Sequence, residues 1–172
     1  MRRSVSVLLA FLVAVAAATA AAGADPKTAE PPTVRTALLT LTTIPEGWQS
    51  RTDLRPVLEV YSDGHAVYRP DAIAADRKAD TEPRQVAGTV RAEVLKAALT
   101  EVQALSETDF GVPATNDHGI GIIDFMPEAL EQSAHLIVYS PAATEGFAGE
   151  QQSARTRFAA VWRSLMDGFV AD

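Results

Sequence analysis

The polar segment 106–119 holds most of the side chains that could carry out chemistry. Asp109, Asn116, Asp117 and His118 lie within ten residues of one another. Hard cations prefer carboxylate and amide oxygens, so one hypothesis is a cation site or a small metal-dependent hydrolase. The alternative is a structural loop, because Asn and Asp side chains accept hydrogen bonds from backbone amides in turns. The acidic spacing of an EF-hand is absent, so we expect the turn.

Other catalytic patterns are missing from the sequence. The three histidines, His65, His118 and His135, are expected on separate elements, whereas a metal or acid–base centre needs converging ligands. The chain has no cysteine, no zincin motif, no Gly-x-Ser-x-Gly elbow and no glycine-rich phosphate loop. We therefore predict no catalytic residue, no metal site and no cofactor, and we expect a protein that is not an enzyme.

Aromatic residues supply the remaining candidates for ligand binding. Trp48 follows a Pro-Glu-Gly turn and could contact a ligand, whereas Trp162 belongs to an apolar helical stripe and is expected in the core. Tyr61 and Tyr68 are predicted on one face of a hairpin. An exposed aromatic pair there is a candidate contact surface, although a covering loop is the alternative.

The hairpin is the strongest local signal in the sequence. Asp63-Gly64 separates two β-rich runs, 57–62 and 65–69, and this dipeptide favours a two-residue turn. The predicted register pairs Ser62 with His65, Tyr61 with Ala66, Val60 with Val67, and Glu59 with Tyr68. The pairing predicts that Leu58, Val60 and Val67 face the helices, and that Val57, Tyr61 and Tyr68 lie on the opposite face.

Two helices and three further strands complete the predicted domain. Apolar spacing predicts helices over 90–105, with Thr89 as N-cap, and over 150–169. Residues 70–88 are charged and predict a long surface loop, either functional or flexible. The fold class is therefore α+β, a two-layer domain with a mainly antiparallel sheet of about five strands and two helices on one face, in the order βββαββα. The additional strands are predicted at 35–43, 120–126 and 134–140.

The N-terminus is typical of an export signal. Arg2 and Arg3 precede an apolar run and a stretch of small residues, which predicts a signal peptide over residues 1–24. Cleavage after Ala20, Ala22 or Ala24 fits; we prefer Ala24. The general secretory route is favoured over twin-arginine export, and cleavage over an uncleaved anchor. A disordered leader (25–33) and a single α+β domain (34–172) are expected to follow.

Composition restricts the partners of the exported domain. Loss of both arginines with the signal peptide lowers the formal net charge from −7 to about −9. An acidic domain is repelled by nucleic acid and by anionic lipid, so neither is an expected partner, and no membrane contact is expected after cleavage. Without disulfides, stability depends on the hydrophobic core, for which the chain is long enough.

Several short motifs follow one another along the chain. They are Tyr61-Ser62-Asp63-Gly64, Asp109-Phe110-Gly111-Val112-Pro113, Asp117, Val138-Tyr139, and Glu150-Gln151-Gln152-Ser153-Ala154-Arg155. Their order resembles that of a group of uncharacterised secreted actinobacterial proteins, over most of residues 36–168. The resemblance implies the extracellular or envelope compartment and the order of elements, and it implies no activity.

These observations favour a secreted or envelope-associated, non-enzymatic domain that binds an extracellular or envelope protein. The alternatives are a structural or stress-related envelope protein without a discrete site, and the metal-dependent hydrolase described above. Arg155 is expected to pin the loop through Asp109 or Asp117, with an anion site as the alternative. The candidate binding residues are Trp48, Tyr61, Tyr68, Asp109, Asp117 and His118.

Overall fold

A computed structural model describes residues 35–114, 119–143 and 145–172, all within one compact unit, Val34–Asp172. Over these residues the chain forms four strands, a helix, two strands, a second helix and a short final strand. The elements are β1 (Leu39–Ile44), β2 (Leu58–Val60), β3 (His65–Tyr68), β4 (Val86–Val90), α1 (Ala92–Leu105), β5 (Ile120–Phe125), β6 (Ala134–Tyr139), α2 (Gly149–Gly168) and β7 (Phe169–Ala171), with a 3-10 turn at Leu130–Gln132.

All the strands join one antiparallel sheet in the spatial order β6-β5-β1-β2-β3-β4-β7. Alternate residues of each strand point to the same face, and one face carries the buried apolar set. The stripes of α1 and α2 pack against this face, which we call the helix face; the other is the open face. The shared core includes Leu39, Leu58, Ile123, Leu136, Val102, Phe158 and Leu165.

The α+β class, the mainly antiparallel sheet and the two helices are therefore confirmed, but the sheet has seven strands rather than about five, and the order is ββββαββαβ. β4 lies partly within the predicted surface loop 70–88, and β7 follows α2 without a linker. Glycine is unfavourable in strands, so Gly88 weakens the sequence evidence for β4. The fold nevertheless requires glycine at this position. A Cβ there would lie 2.3 Å from the Val170 carbonyl oxygen and 2.6 Å from the Phe169 ring.

The predicted hairpin register is wrong by one residue. The Tyr61 N–H donates to the His65 carbonyl at 2.8 Å, so the loop contains three residues, 62–64. Gly64 takes a positive φ of 83°, as in a type I turn followed by a bulge. The observed pairs are Leu58 with Tyr68, Glu59 with Val67, and Val60 with Ala66.

This shift exchanges the faces of two β3 residues, because neighbouring strand residues point in opposite directions. Leu58 and Val60 are fully buried on the helix face, as predicted. Tyr68 joins them there, packing against the Phe169 ring at a centroid distance of 5.5 Å. Val67 instead lies on the open face. The predicted exposed pair of Tyr61 and Tyr68 therefore does not exist.

The helices differ little from the prediction. α1 begins at Ala92 with Arg91 at the N-cap position, rather than after Thr89, because residues up to Val90 pair with β7. α2 agrees with the predicted helix, 150–169, to within one residue at each end, and its Trp162 is partly buried against the core. None of the helices in the described ranges is long and apolar enough to cross a membrane. The predicted signal peptide (1–24) and leader (25–33) lie outside the described residues.

Candidate functional site

Asp109 joins the loop after α1 to the start of α2. Its Oδ1 accepts the Gly111 N–H at 2.8 Å, and its Oδ2 accepts the Gln151 side-chain amide at 2.7 Å. The Gln151 Oε1 accepts the Ala148 N–H at 3.1 Å, which satisfies a free donor at the helix start. These hydrogen bonds lower the pKa of Asp109 below its ordinary value. Both of its oxygens thus serve the loop-to-helix junction.

Arg155 is the centre of the same junction. Its side chain is 4% exposed and donates only to backbone carbonyls within the described ranges. Burial lowers the pKa of the guanidinium below its ordinary value. The contact between Arg155 and Asp109 that one interpretation predicted is not formed. We call Arg155 and its acceptors the Arg155 centre: the carbonyls of Phe110 (3.2 Å), Tyr139 (2.8 Å), Ser140 and Ala143 (3.3 Å).

The Arg155 centre ties three segments together. Phe110 belongs to the loop after α1, the next two acceptors end β6, and Arg155 itself is on α2. The Phe147 ring lies 4.0 Å from the guanidinium carbon and covers its face. The arrangement therefore holds α2 to the end of the sheet without a carboxylate from the described residues.

Asp117 and His118 lie outside the described residues, so the structure does not place them relative to Asp109. Within the described ranges, no group of three or more His, Asp or Glu side chains is arranged to hold a metal ion. The metal-dependent hydrolase thus rests on the sequence pattern alone, and its third member, Asp109, already has two partners.

Trp48 packs in a cluster of charged side chains beside the turn after β1. The Arg51 guanidinium lies 3.8 Å from the centre of its indole ring and that of Arg77 lies 5.1 Å away. Asp53 joins both arginines: it accepts from Arg51 Nε at 2.8 Å and from Arg77 at 2.9 Å. We call Trp48, Arg51, Asp53 and Arg77 the Asp53 cluster. In this setting the Trp48 ring packs against both guanidinium groups.

The Asp53 cluster organises the connection between β1 and β2 and the connection between β3 and β4. Arg77 also donates to the carbonyls of Ala72 and Thr81, and Arg51 donates to the carbonyl of Arg77. Residues 70–85, which make up most of the loop 70–88 predicted as functional or flexible, are thus held by the ion pair between Arg77 and Asp53. Hydrogen bonding to Arg51 holds the pKa of Asp53 far below its ordinary range.

Tyr61 lies on the open face, beside an ion pair. Its hydroxyl donates to Glu59 at 3.4 Å, and Glu59 accepts from Arg69 at 3.1 Å. Burial raises the pKa of the Tyr61 hydroxyl, and the negative charge of Glu59 raises it further. Arg69 is itself buried. The predicted cross-strand pair of Glu59 and Tyr68 is replaced by this Tyr61–Glu59–Arg69 network.

The open face also carries an apolar surface that the sequence analysis missed. We call it the isoleucine patch. Its rows follow from the register of β1, β5 and β6: Ile44 pairs with Ile120, which pairs with Tyr139, and Ile122 pairs with Ile137 in the next row. Ile137 and Tyr139 are 37% and 38% exposed. The patch consists of Ile44, Ile120, Ile122, Ile137 and Tyr139.

Polar residues border the patch. The next row contains His135, whose Nδ1 contacts Asp124, and Thr40, whose hydroxyl donates to the other Asp124 oxygen at 3.4 Å. An apolar centre with a polar rim is typical of protein interfaces. Apolar residues on both faces of β5 and β6 were the available sequence signal, because one-sided sheets alternate apolar and polar residues.

Comparison with protein families, curated proteins and solved structures finds no match for the chain.

Proposed function

We propose that this chain is an exported, non-enzymatic domain that binds a protein partner through the isoleucine patch and the neighbouring edge of β6. The observation that carries the proposal is the apolar patch on the open face, in which the exposed Ile137 and Tyr139 adjoin three half-buried isoleucines. Contiguous apolar surface of this kind on a folded domain is typical of an interaction site.

The edge of β6 supports the same conclusion. β6 is the outermost strand on its side of the sheet, so its outer backbone groups pair with no other described strand. It has six residues, without proline, lysine or glutamate. Proteins usually protect such uncharged edge strands, because the unpaired backbone groups can pair with a strand from another chain. A partner that supplies an extended segment would gain backbone hydrogen bonds along β6 and apolar contacts with Ile137 and Tyr139.

The roles of the polar candidates also favour binding over catalysis. Asp109, Trp48 and Tyr61 each make contacts that hold loops or neighbouring strands in place, as described above. The predicted signal peptide supports an extracellular or envelope partner, which the acidic charge of the chain restricts to targets other than nucleic acid.

Photo-crosslinking tests the proposal. A photoreactive amino acid replaces Ile137 or Tyr139, and Val170 is the matched control, since it is 55% exposed on the open side of the opposite edge strand, β7. In the producing cells we expect one discrete product with a second protein from the first two positions only. Ile137→Lys should abolish the product formed at Tyr139, whereas Val170→Lys should not. Equal yields at all positions, or products containing only two copies of this chain, would contradict the proposal.

A further inference from the structure

A second candidate site lies on the other side of the sheet. Between α2 and the end of the sheet is a cleft of about 450 Å³, within the usual size range of small-molecule sites. We call it the α2 cleft. It is on the helix face and is therefore separate from the isoleucine patch. Its principal lining residues are Thr43, Gly121, Pro141, Phe158, Trp162 and Arg163.

The walls of the α2 cleft are apolar. Phe158, Trp162 and Met166 follow one another at intervals of four residues along α2, so they present one continuous stripe. The cleft is open at its base because residue 121 is a glycine. A Cβ at this position would lie 3.2 Å from the Phe158 ring. A hydrocarbon group would bury its surface against this stripe.

A single cation lies at the rim of the cleft. Arg163 is exposed, and it has no carboxylate within ion-pair distance among residues 35–114, 119–143 and 145–172. Arg157, on the same helix, is instead paired with Glu101 at 2.6 Å. In a chain of formal charge −7, an unpaired guanidinium beside an apolar cleft is a charge-complementary position for an anion.

We propose that the α2 cleft binds an amphipathic monoanion, namely a carboxylate on a medium-length hydrocarbon chain. The hydrocarbon lies along Phe158, Trp162 and Met166, and the carboxylate lies at Arg163. The interaction does not require the protein partner of the open face.

Tryptophan fluorescence gives a direct test, because the chain has two tryptophans and one lines the cleft. In a Trp48→Phe background, Trp162 is the reporter, and the probe is decanoate below its micelle concentration. We expect a saturable change in Trp162 emission. Decanol, which has the same hydrocarbon chain without the charge, should bind at least about threefold more weakly.

Two substitutions then separate the parts of the site. Arg163→Gln should weaken decanoate binding about three- to tenfold and leave decanol binding unchanged, whereas Arg84→Gln, at an exposed arginine elsewhere, should change neither. Ala159→Leu fills the cleft and should abolish binding, whereas Ala160→Leu, on the other side of α2, should retain it.

Circular dichroism checks that each variant is folded. If Ala159→Leu unfolds α2, Ala142→Phe fills the cleft from the exposed loop opposite and should abolish binding instead. The proposal is overturned if decanoate causes no saturable change, if a folded variant with a filled cleft binds as tightly as its parent, or if Arg163→Gln leaves decanoate binding unchanged.

Discussion

The Asp53 cluster and the Arg155 centre hold loops by different means. In the first, two arginines share one carboxylate and stack on an indole ring. In the second, one arginine donates to four backbone carbonyls. The carboxylate can be neutralised by a proton, whereas the carbonyl dipoles cannot. The stability that each supplies should therefore respond differently to pH.

The comparison also shows why arginine occupies both positions. A planar guanidinium has five N–H donors in a fixed fork, and a lysine ammonium cannot reproduce that geometry. At the Arg155 centre the donors reach segments that are far apart in sequence, from Phe110 to Ala143. Removal of the side chain would take one donor from each of four buried or partly buried carbonyls, which costs more than loss of a solvent-exposed ion pair.

The largest expected effect follows from Arg155→Met. The variant should lose about 3 kcal/mol of unfolding free energy, because buried carbonyls lose their donors. Urea denaturation measures this loss, and Arg163→Met, at an exposed position of the same helix, should change stability by less than about 0.5 kcal/mol. The loss should be equal at pH 7 and pH 3.5. A loss that shrinks in acid would contradict the assignment by indicating a carboxylate partner.

Asp53→Asn should have the next largest effect. It leaves the largely buried Arg51 and Arg77 without a counter-charge, so the melting temperature at pH 7 should fall, though less than in Arg155→Met. Because the pKa of Asp53 is lowered on folding, its contribution is complete above the unfolded pKa near 4 and is lost as the pH falls further. The difference between wild type and variant should therefore shrink below about pH 4.

The control for that measurement is Asp76→Asn, at an exposed carboxylate in the connection between β3 and β4, which also carries Arg77. It removes one negative charge without removing a partner from a buried arginine. A pH dependence of equal size in both variants would show that net charge, rather than the Asp53 cluster, causes the effect.

Trp48→Leu should have a smaller effect. The substitution keeps an apolar side chain but removes the ring on which the Arg51 guanidinium lies, so we expect a fall in melting temperature of about 3 °C. Trp48→Phe should lose less, because it retains an aromatic face. If the leucine and phenylalanine variants have the same melting temperature, the cation–π contact contributes nothing to stability.

The smallest expected effect is that of Arg55→Gln. Arg55 pairs with Glu82 at 2.5 Å, but both side chains are exposed, at 39% and 63%. Water and salt screen such pairs, so the melting temperature should change by about 2 °C or less, and the change should vanish at 1 M salt. A larger change in melting temperature that does not depend on salt would show that this exposed arginine stabilises the fold as much as the buried ones do.

Long periodic elements of this fold were predictable from sequence, whereas strands that depend on distant partners were not. The apolar spacing of α2 gave its extent correctly because amphipathic period is a local property. β4 and β7 have five and three residues and stabilise one another through Gly88 and Phe169. Neither segment carries that information alone, so both were missed.

The site was less predictable than the fold, for a related reason. Asp63-Gly64 gave the hairpin its position but not its loop length, and one added loop residue moved Tyr68 to the helix face. The isoleucine patch arises only when β1, β5 and β6 lie side by side, and β1 precedes β5 by some 80 residues. Residue spacing along the chain cannot reveal such a surface.

The position of β1 has a consequence for how the molecule folds. β2, β3 and β4 follow one another in the chain and pair with their immediate neighbours, so little entropy is lost in closing them. β1 can complete its pairing only when β5 arrives from beyond α1, and closing that long loop is entropically costly. Non-local contacts slow folding. We therefore expect the two halves of the sheet to meet late along the folding pathway, where β1 pairs with β5.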